Sequence, residues 1–243
     1  MRKIILISSL LAIALLSACA FPMRITEVRG SGNLITESRR VSGFETVELS
    51  GNGTLIIEQS DVESLEITAD ENIMPYLRSE VVGGNLQLGT DEFINLLPSS
   101  DITYRLTVKN LSAIETSGMG QVEVESLDTD QLELAISGSG TMKIGDLSAK
   151  SLSLDISGMG DVYLSGVVED QRIKISGTGN YQAGDLFSLT AAIDISGSGS
   201  AQVWVADNLD LDISGMGDLS YYGEPILNTD ISGMGNIKSL GAK

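Results

Sequence analysis

The residues Ser157-Gly158-Met159-Gly160 are one copy of a Ser-Gly-X-Gly motif that recurs through the second half of the chain. Seven copies follow one another at intervals of 20, 20, 19, 20, 18 and 18 residues, starting at Ser117, Ser137, Ser157, Ser176, Ser196, Ser214 and Ser232. An eighth copy, starting at Ser50, stands apart from them. A constant period of about 20 residues is typical of stacked supersecondary units, none of which can bury its apolar face alone. The motif therefore predicts a repeat fold.

Apolar residues recur at fixed distances from each motif serine, and their spacing predicts strands. The positions three before, one before and five after Ser157 hold Leu154, Ile156 and Val162, and the other copies follow the same pattern with few exceptions. The position ten after the serine is apolar in four copies, at Leu127, Leu147, Val167 and Leu186. Alternation within a rung is the pattern of a strand with one buried face. Successive rungs that run in the same direction must pair in parallel.

The predicted fold is all-β: a right-handed parallel β-solenoid, or β-helix, with rungs of about 18–20 residues. Regular rungs are expected over residues 113–243. Irregular rungs are expected over 41–112, where they form an N-terminal cap that covers the core and strand edges of the stack. The segment from Asp91 to Ser100 is predicted to be a loop. A propeller is disfavoured because its blades need about 40 residues each.

The two glycines of each motif copy are predicted to form a corner at which every rung bends alike. Glycine tolerates positive φ and close backbone approach, and either property suits a stacked corner. A phosphate-binding loop is the alternative, but it needs one glycine-rich loop followed by Lys-Ser/Thr and a helix. Seven copies in an acidic chain, none followed by a helix, favour the structural corner.

The N-terminus has the pattern of a bacterial lipoprotein signal. Arg2 and Lys3 precede the apolar run Ile4–Leu16, and Leu16-Ser17-Ala18-Cys19 resembles a lipobox. We therefore expect a signal peptide over residues 1–18, lipid attachment at Cys19 and a lipidated tether over residues 19–40, in which a first strand can pair near Leu34-Ile35. The alternative is ordinary secretion with a free thiol. Ala20, rather than Asp, favours outer-membrane sorting in a Gram-negative host.

The composition excludes several functions. The chain has a net charge of −18 and no histidine, and loss of Arg2 and Lys3 with the signal peptide makes the remainder more acidic still. Such a charge argues against nucleic acid as a partner, because phosphates would be repelled. Histidine-based catalysis and imidazole metal ligation are also excluded.

Several stretches together resemble the head GIN domain family of auto-transporter adhesins. They are Phe44–Gly53 (FETVELSGNG), Leu65–Asn72 (LEITADEN), the Ser-Gly-X-Gly rungs and Tyr222–Pro225 (YGEP) before the last motif copy. The similarity extends over roughly residues 41–243. It implies a secreted or surface-anchored bacterial β-helical protein with no known catalytic residues, located in the cell envelope.

An acidic column is predicted on the outer surface, two positions before each motif serine. Like charges on adjacent strands repel, so this column needs water, salt, Lys174 or a bound cation. One hypothesis is that Ca²⁺ bridges carboxylates of the column, and the candidate ligands are Asp155, Asp194, Asp212 and Asp230. The alternative is a solvated acidic face without a metal; no other cofactor is expected.

A methionine column is predicted between the two motif glycines, at Met119, Met159, Met216 and Met234. If strand alternation continues through the corner, these side chains face outward and form a contact stripe for a partner or a second copy. If the corner resets the alternation, they belong to the core.

Three functions remain open from the sequence. The first is a non-catalytic adhesin or binding module, held to the membrane by its N-terminal lipid, with a protein or glycan ligand. The second is a polysaccharide-active enzyme, in which a loop bearing Asp91 and Asp101 walls a cleft, although few arginines (Arg78, Arg105 and Arg172) follow the tether. The third is a structural protein that self-associates through its last rungs. A small aromatic patch is predicted at Trp204, Tyr221 and Tyr222, with Trp204 exposed.

Overall fold

The structure is a computed structural model that describes residues 26–91 and 93–243. The predicted signal peptide and Cys19 lie outside the described residues. The described strands, numbered β1 to β18 in chain order, are Thr26–Arg29, Leu34–Arg39, Thr46–Leu49, Asn52–Gln59, Ser64–Asp70, Leu77–Val82, Asn85–Thr90, Ile94–Leu97, Thr103–Val108, Ala113–Thr116, Met119–Ile136, Thr141–Ile156, Asp161–Ile175, Asn180–Ile195, Ser200–Ile213, Asp218–Tyr222, Ile226–Ile231 and Ile237–Ser239. One 3-10 helix, Met74–Tyr76, precedes β6. Across both described ranges, no helix is long and apolar enough to cross a membrane.

The long strands stack in parallel, one motif repeat apart. Ile136 pairs with Ile156, and Ile156 pairs with Ile175, so residues at the same distance from the motif serine lie above one another. The strands β11 to β15 bend through each rung and pair along most of their length. The predicted parallel β-solenoid is confirmed, and it has about six turns.

The isolated motif copy at Ser50 is a rung of the same stack. β3 pairs with β10 and β4 pairs with β11, so Ser50 lies beside Ser117 in space. The intervening chain builds the cap and then returns to continue the stack. Beyond the Ser50 rung, β7 and β9 supply the next parallel layer.

The cap is closed by antiparallel strands, which end the parallel stack. β5 lies between β2 and β9, antiparallel to both, and β6 is antiparallel to β7. β1 pairs with β8 in a separate two-stranded sheet. Two expectations need correction here. β2 includes the strand expected near Leu34-Ile35, but the predicted tether also contains β1, and the predicted loop after Asp91 contains β8.

Asp70 joins three segments of the cap. Its buried carboxylate accepts hydrogen bonds from the amide of Gly32 at 2.7 Å and from the hydroxyl and amide of Ser99 at 2.6 and 2.9 Å. The Ser99 hydroxyl and amide, followed by the Gly32 amide, hold the pKa of Asp70 below its usual range against the opposing effect of burial. The N-terminal strands are thereby tied to the cap.

The core consists of the predicted apolar columns, except in the last rung and at Val167. Leu154, Ile156 and Val162 are buried, as are their counterparts in the neighbouring rungs. Val167, expected inside, is 56% exposed, and Val168 is 1% exposed instead. The reason is an irregularity in the pairing of β13 with β12 after Ile144, which places Gly166 opposite Leu147. Complete burial of an aliphatic side chain contributes about 1.5–3 kcal/mol, so these columns dominate the stability.

A short polar chain crosses the core between β13 and β14. The Tyr181 hydroxyl donates to Oε1 of Gln171 at 2.8 Å, and Nε2 of Gln171 donates to the Ser188 hydroxyl at 2.7 Å. The Ser188 hydroxyl donates in turn to the carbonyl of Trp204 at 3.1 Å. Burial raises the pKa of Tyr181 and that of Tyr104. The side-chain polar groups of Tyr181, Gln171 and Ser188 are therefore hydrogen-bonded, whereas the buried Thr116 hydroxyl has no partner among the described residues.

The end of the stack opposite the cap has no covering element among the described residues. The last rung is formed by β17 and β18, which pair only with β15 and β16. Its inward-facing Leu227 and Ile231 are exposed. The last rung therefore presents both apolar side chains and an unpaired strand edge.

Candidate functional site

The motif corner depends on close backbone approach. A Cβ on Gly158 would lie 2.0 Å from the carbonyl oxygen of Gly138, so no larger residue fits. A Cβ on Gly160 would lie 2.7 Å from Cγ2 of Ile136. Positive φ, the other property considered, is absent from all the motif glycines except Gly53. The glycines are thus required because neighbouring rungs touch at the corner.

The methionine column faces outward. The side chains of Met119, Met159, Met216 and Met234 are between 56% and 72% exposed. Strand alternation continues through the corner, because Ile156 and Val162 on either side of Met159 are both buried. The Met159 amide donates to the Gly138 carbonyl at 2.9 Å, which fixes its backbone against the preceding rung. The sequence left open whether these side chains face outward or belong to the core, and in the structure they face outward.

The acidic column also faces outward. Lys174 lies between Asp155 and Asp194, and Asp212 and Asp230 follow on the next rungs. All four aspartates are exposed. Over residues 26–91 and 93–243, no group of three or more acidic, histidine or cysteine side chains lies close enough to hold a metal ion. Asp194, Asp212 and Asp230 lie in register on consecutive rungs, and calcium binding stays a prediction.

A groove runs along the solenoid, across the strands, at a second bend of the rungs. Its floor lies eight positions after the motif serine, where three consecutive rungs carry the small residues Gly145, Ser165 and Gly184. The residues at the same distance from the serine in the flanking rungs are large, Glu125 on one side and Trp204 on the other, although a shift in the pairing sets Trp204 opposite Phe187. Because side chains are missing in the middle of the column, the surface is concave there.

One wall of the groove is a column of side chains six positions after the motif serine. Lys143, Tyr163, Gln182 and Gln202 lie opposite one another on four consecutive rungs. The Lys143 ammonium lies 5.9 Å from the centroid of the Tyr163 ring. The groove has a volume of about 710 Å³, which is in the range of ligand-binding clefts.

The groove continues toward the cap as a second, charged depression of about 750 Å³. The two depressions share Lys143 and Gly145. The cap-side part is lined by several charged side chains, namely Glu58, Arg105, Glu123 and Glu125. The far part holds only Lys143 and Asp185 as charged residues. The cap-side part is therefore the charged half of the groove. The far part, with only these two charged side chains, is named the uncharged half.

An aromatic corner closes the uncharged half. The Trp204 ring packs edge-on against Phe187, with centroids 5.1 Å apart. The Lys243 ammonium lies 5.2 Å from the Trp204 ring centroid and 5.0 Å from that of Tyr222, and it forms an ion pair with Asp185. Trp204 is half-buried rather than fully exposed. Tyr221 points the other way and packs against the core. The predicted aromatic patch thus holds Trp204 and Tyr222 without Tyr221.

The residues considered for an enzyme are dispersed. Asp101 accepts a hydrogen bond from the Thr54 hydroxyl at 2.6 Å, and Arg78 lies on the cap strand β6. Arg105 lines the charged half of the groove, whereas Arg172 lies beside the acidic column. Neither Asp91 nor Asp101 lines the groove.

The groove is not among the surfaces predicted from the sequence. The available signal was the run of small residues eight positions after the motif serine, between Glu125 and Trp204. It was missed because only the positions two before and two after the serine were considered as outward columns. The uncharged residues Gln182 and Gln202 also carry no motif of their own.

Solved structures similar to this chain share its fold. One is a "putative adhesin" from Bacteroides fragilis, 26% identical, with a TM-score of 0.84 over 88% of this chain and 100% of that chain. Another is a "putative lipid binding protein" from Parabacteroides distasonis, 25% identical, with a TM-score of 0.74 over 88% and 100% of the two chains. A "putative adhesin" from Parabacteroides merdae, 22% identical with a TM-score of 0.69 over 88% and 99%, supports the fold alone. No curated protein matches the chain.

The family comparison agrees with the resemblance noted in the sequence. The matched region, residues 43–225, begins just before β3, ends after β16 and includes every residue that lines the groove. The chain belongs to the family described as "Putative auto-transporter adhesin, head GIN domain".

Proposed function

We propose that this protein is a non-catalytic, adhesin-like binding module of the cell envelope, tethered to the membrane by lipid on Cys19. The single observation that carries the binding role is the groove. Its wall consists of Lys143, Tyr163, Gln182 and Gln202, and main-chain hydrogen bonding fixes their positions rung by rung. Such a surface is organised before any ligand arrives, which lowers the entropic cost of binding.

Two further features support this proposal. The family description and the solved relatives name adhesins. The acidic and basic side chains of the charged half are exposed on flat strands rather than enclosed by loops. Catalysis by carboxylates usually requires a pair held at a defined separation in a closed cleft.

Retention on envelope fractions tests the binding role. Residues 26–243 contain every described strand and the described core, so a soluble fragment with these bounds is a suitable probe. We expect the fragment to be retained and the triple variant Tyr163→Ala/Gln182→Ala/Gln202→Ala to be lost. A matched variant, in which the four column methionines are changed to serine, should be retained. If only the methionine variant fails to be retained, the binding surface is the methionine column. If both variants are retained, the groove is not the binding surface.

The other parts of the proposal have separate tests. Incubation of the fragment with envelope polysaccharide should release no soluble sugar; release that the groove variant abolishes would reveal an enzyme. Full-length protein should incorporate radiolabelled palmitate, and a Cys19→Ala chain should not. Equal labelling of the two chains would contradict the lipid anchor.

Self-association is a second candidate function, and the uncovered last rung favours it. β17 exposes Leu227 and Ile231 beside an unpaired edge. A second copy could pair there strand to strand. Sedimentation over a range of concentrations should then show a dimer that Leu227→Lys abolishes. A monomer at all concentrations would exclude this function.

A further inference from the structure

We propose that the uncharged half of the groove binds an uncharged polysaccharide chain that lies along the solenoid axis, across the rungs. This inference rests on the proposed binding function and names the ligand class for the same groove. It follows from four properties of the lining residues: their free amide groups, their exposed aromatic ring, their spacing and their charge.

The amide groups of the groove are available for hydrogen bonding. Gln121, Gln182 and Gln202 line it, and in the described part of the chain their side chains make no hydrogen bond to the protein. By contrast, Gln59 and Gln171 are both engaged, Gln59 with backbone carbonyls and Gln171 with Ser188. An amide offers donors and an acceptor in one plane. Neighbouring hydroxyl groups of a sugar ring present the complementary donors and acceptors.

The aromatic ring of Tyr163 supplies an apolar surface in the same wall. Tyr163 is exposed and lies in register with Gln182 on the next rung. An exposed aromatic ring combines an apolar face with a polar edge. The C–H face of a pyranose packs on such a ring while its hydroxyl groups reach the adjacent amides. A peptide could also pack on the ring. Its main chain, however, would need a regular row of hydrogen-bonding groups, and the side chains of this wall do not form one.

The spacing of the wall suits a repeating ligand. Tyr163, Gln182 and Gln202 lie on consecutive rungs, which are about 4.8 Å apart in a parallel sheet. This spacing is close to the length of one pyranose unit in an extended chain. Each sugar would therefore meet an equivalent position, and the contacts would add along the chain.

The charge distribution selects against acidic glycans. The chain carries a net charge of −18, and in the charged half the three glutamates Glu58, Glu123 and Glu125 outnumber the two cations, Arg105 and Lys143. Asp185 is paired with Lys243 at the opposite end. A polyanion extending from the uncharged half would meet the glutamates and be repelled. An uncharged chain would not.

Trp204 provides the measurement because it is the only tryptophan in the chain and lies beside the groove, where the Lys243 ammonium contacts both its ring and Asp185 of the lining. The 26–243 fragment is titrated with cellohexaose, maltohexaose, mannohexaose and xylohexaose, and with hexagalacturonate as the anionic comparison. We expect a saturable change in Trp204 emission with at least one uncharged hexasaccharide, weaker binding of its shorter homologues and none of hexagalacturonate.

Variants complete the test. Gln182→Ala/Gln202→Ala and Tyr163→Ala should each weaken binding by about tenfold or more. Gln131→Ala, at an exposed glutamine outside the groove, should leave it unchanged, and thermal unfolding should show that all variants remain folded. No saturable binding of any uncharged hexasaccharide, equal binding by the groove variants, or preferential binding of hexagalacturonate would each overturn the proposal. If the saccharide test failed but envelope retention still depended on the groove, the binding function would stand and only the polysaccharide ligand would be wrong. If retention did not depend on the groove either, the binding function and the ligand class would both be wrong.

Discussion

The amide of Ser117 donates a hydrogen bond to the carbonyl of Leu49 at 3.2 Å. The two residues are far apart in sequence, and the cap strands β5 to β9 lie in the chain between them. The bond joins the Ser50 corner to the Ser117 corner just as Ser157 is joined to Ile136 at 3.0 Å further along the stack. The same corner geometry therefore operates whether neighbouring rungs are consecutive in sequence or not.

The corner geometry predicts a large effect for Gly158→Ala. The added Cβ would lie 2.0 Å from the carbonyl oxygen of Gly138, a backbone atom that cannot move without separating the rungs. We expect a loss of about 3 kcal/mol or more in the free energy of unfolding. Met159→Ala, one residue away on the exposed side, should change it by less than about 0.5 kcal/mol. Urea unfolding measures both, and similar values for the two variants would contradict the close-packed corner.

Exposure of the methionine column predicts its rate of oxidation. Under mild peroxide, Met119, Met159, Met216 and Met234 should be converted to sulfoxide quickly, because their sulfur atoms are accessible to solvent. Met74 and Met142, which are buried, serve as internal controls and should react slowly while the protein is folded. Peptide mass spectrometry over time gives each rate. Equal rates for the two groups would show that the column is protected.

The buried polar chain predicts an asymmetry between single and double substitutions. Tyr181→Phe removes the donor to Gln171 and leaves a buried carbonyl oxygen unpaired, which costs about 1–3 kcal/mol. The double variant Tyr181→Phe/Gln171→Leu removes both partners and should be less destabilised than the sum of the single variants. Chemical denaturation of the four proteins forms a complete cycle. Additive losses would mean that the hydrogen bond contributes nothing to stability.

The lowered pKa of Asp70 predicts that the cap loosens in acid. Because its folded pKa lies below the unfolded value of about 3.9, the ionised carboxylate stabilises the folded state above that value. This contribution is lost as the pH falls through the folded pKa. Hydrogen exchange at the amides of Gly32 and Ser99, corrected for intrinsic rates, should show protection at neutral pH and its loss in acid. Asp70→Asn should lack this protection at neutral pH, and an unchanged pattern in the variant would contradict the role of Asp70.

The regular rungs could be predicted because the same pattern recurs in seven copies. An irregular residue in one copy, such as Thr116 in place of isoleucine, does not obscure the column. The position of the Ser50 rung could not be predicted, since nothing in a linear pattern shows that the chain leaves a stack and returns to the adjacent level. The cap strands β1 and β8 could not be predicted for a related reason: they pair with each other across a long stretch of sequence, and they repeat no motif.

The exposed position of Val167 shows a second limit. Val167 and Val168 are both apolar, so the pattern allows either to enter the core. The rung that starts at Ser157 has 19 residues, one fewer than the rung before it. Which of the two valines enters the core depends on where its pairing with the two neighbouring rungs shifts by one position. The groove was missed for a different reason, because concavity arises from the absence of side chains at Gly145 and Gly184. Candidate residues are usually sought among large or charged side chains.

The parallel register of Ile136, Ile156 and Ile175 has a consequence for how this protein can change over time. Each rung pairs only with the level above and the level below, so duplication of one repeat in the gene adds a level without altering the pairing elsewhere. Every such event raises the height by one step of about 4.8 Å. If the duplicated repeat carries a small residue eight positions after its serine, as the Ser157 repeat carries Ser165, the groove lengthens by the same step. The height of the stack and the length of the groove would then evolve together, one gene segment at a time.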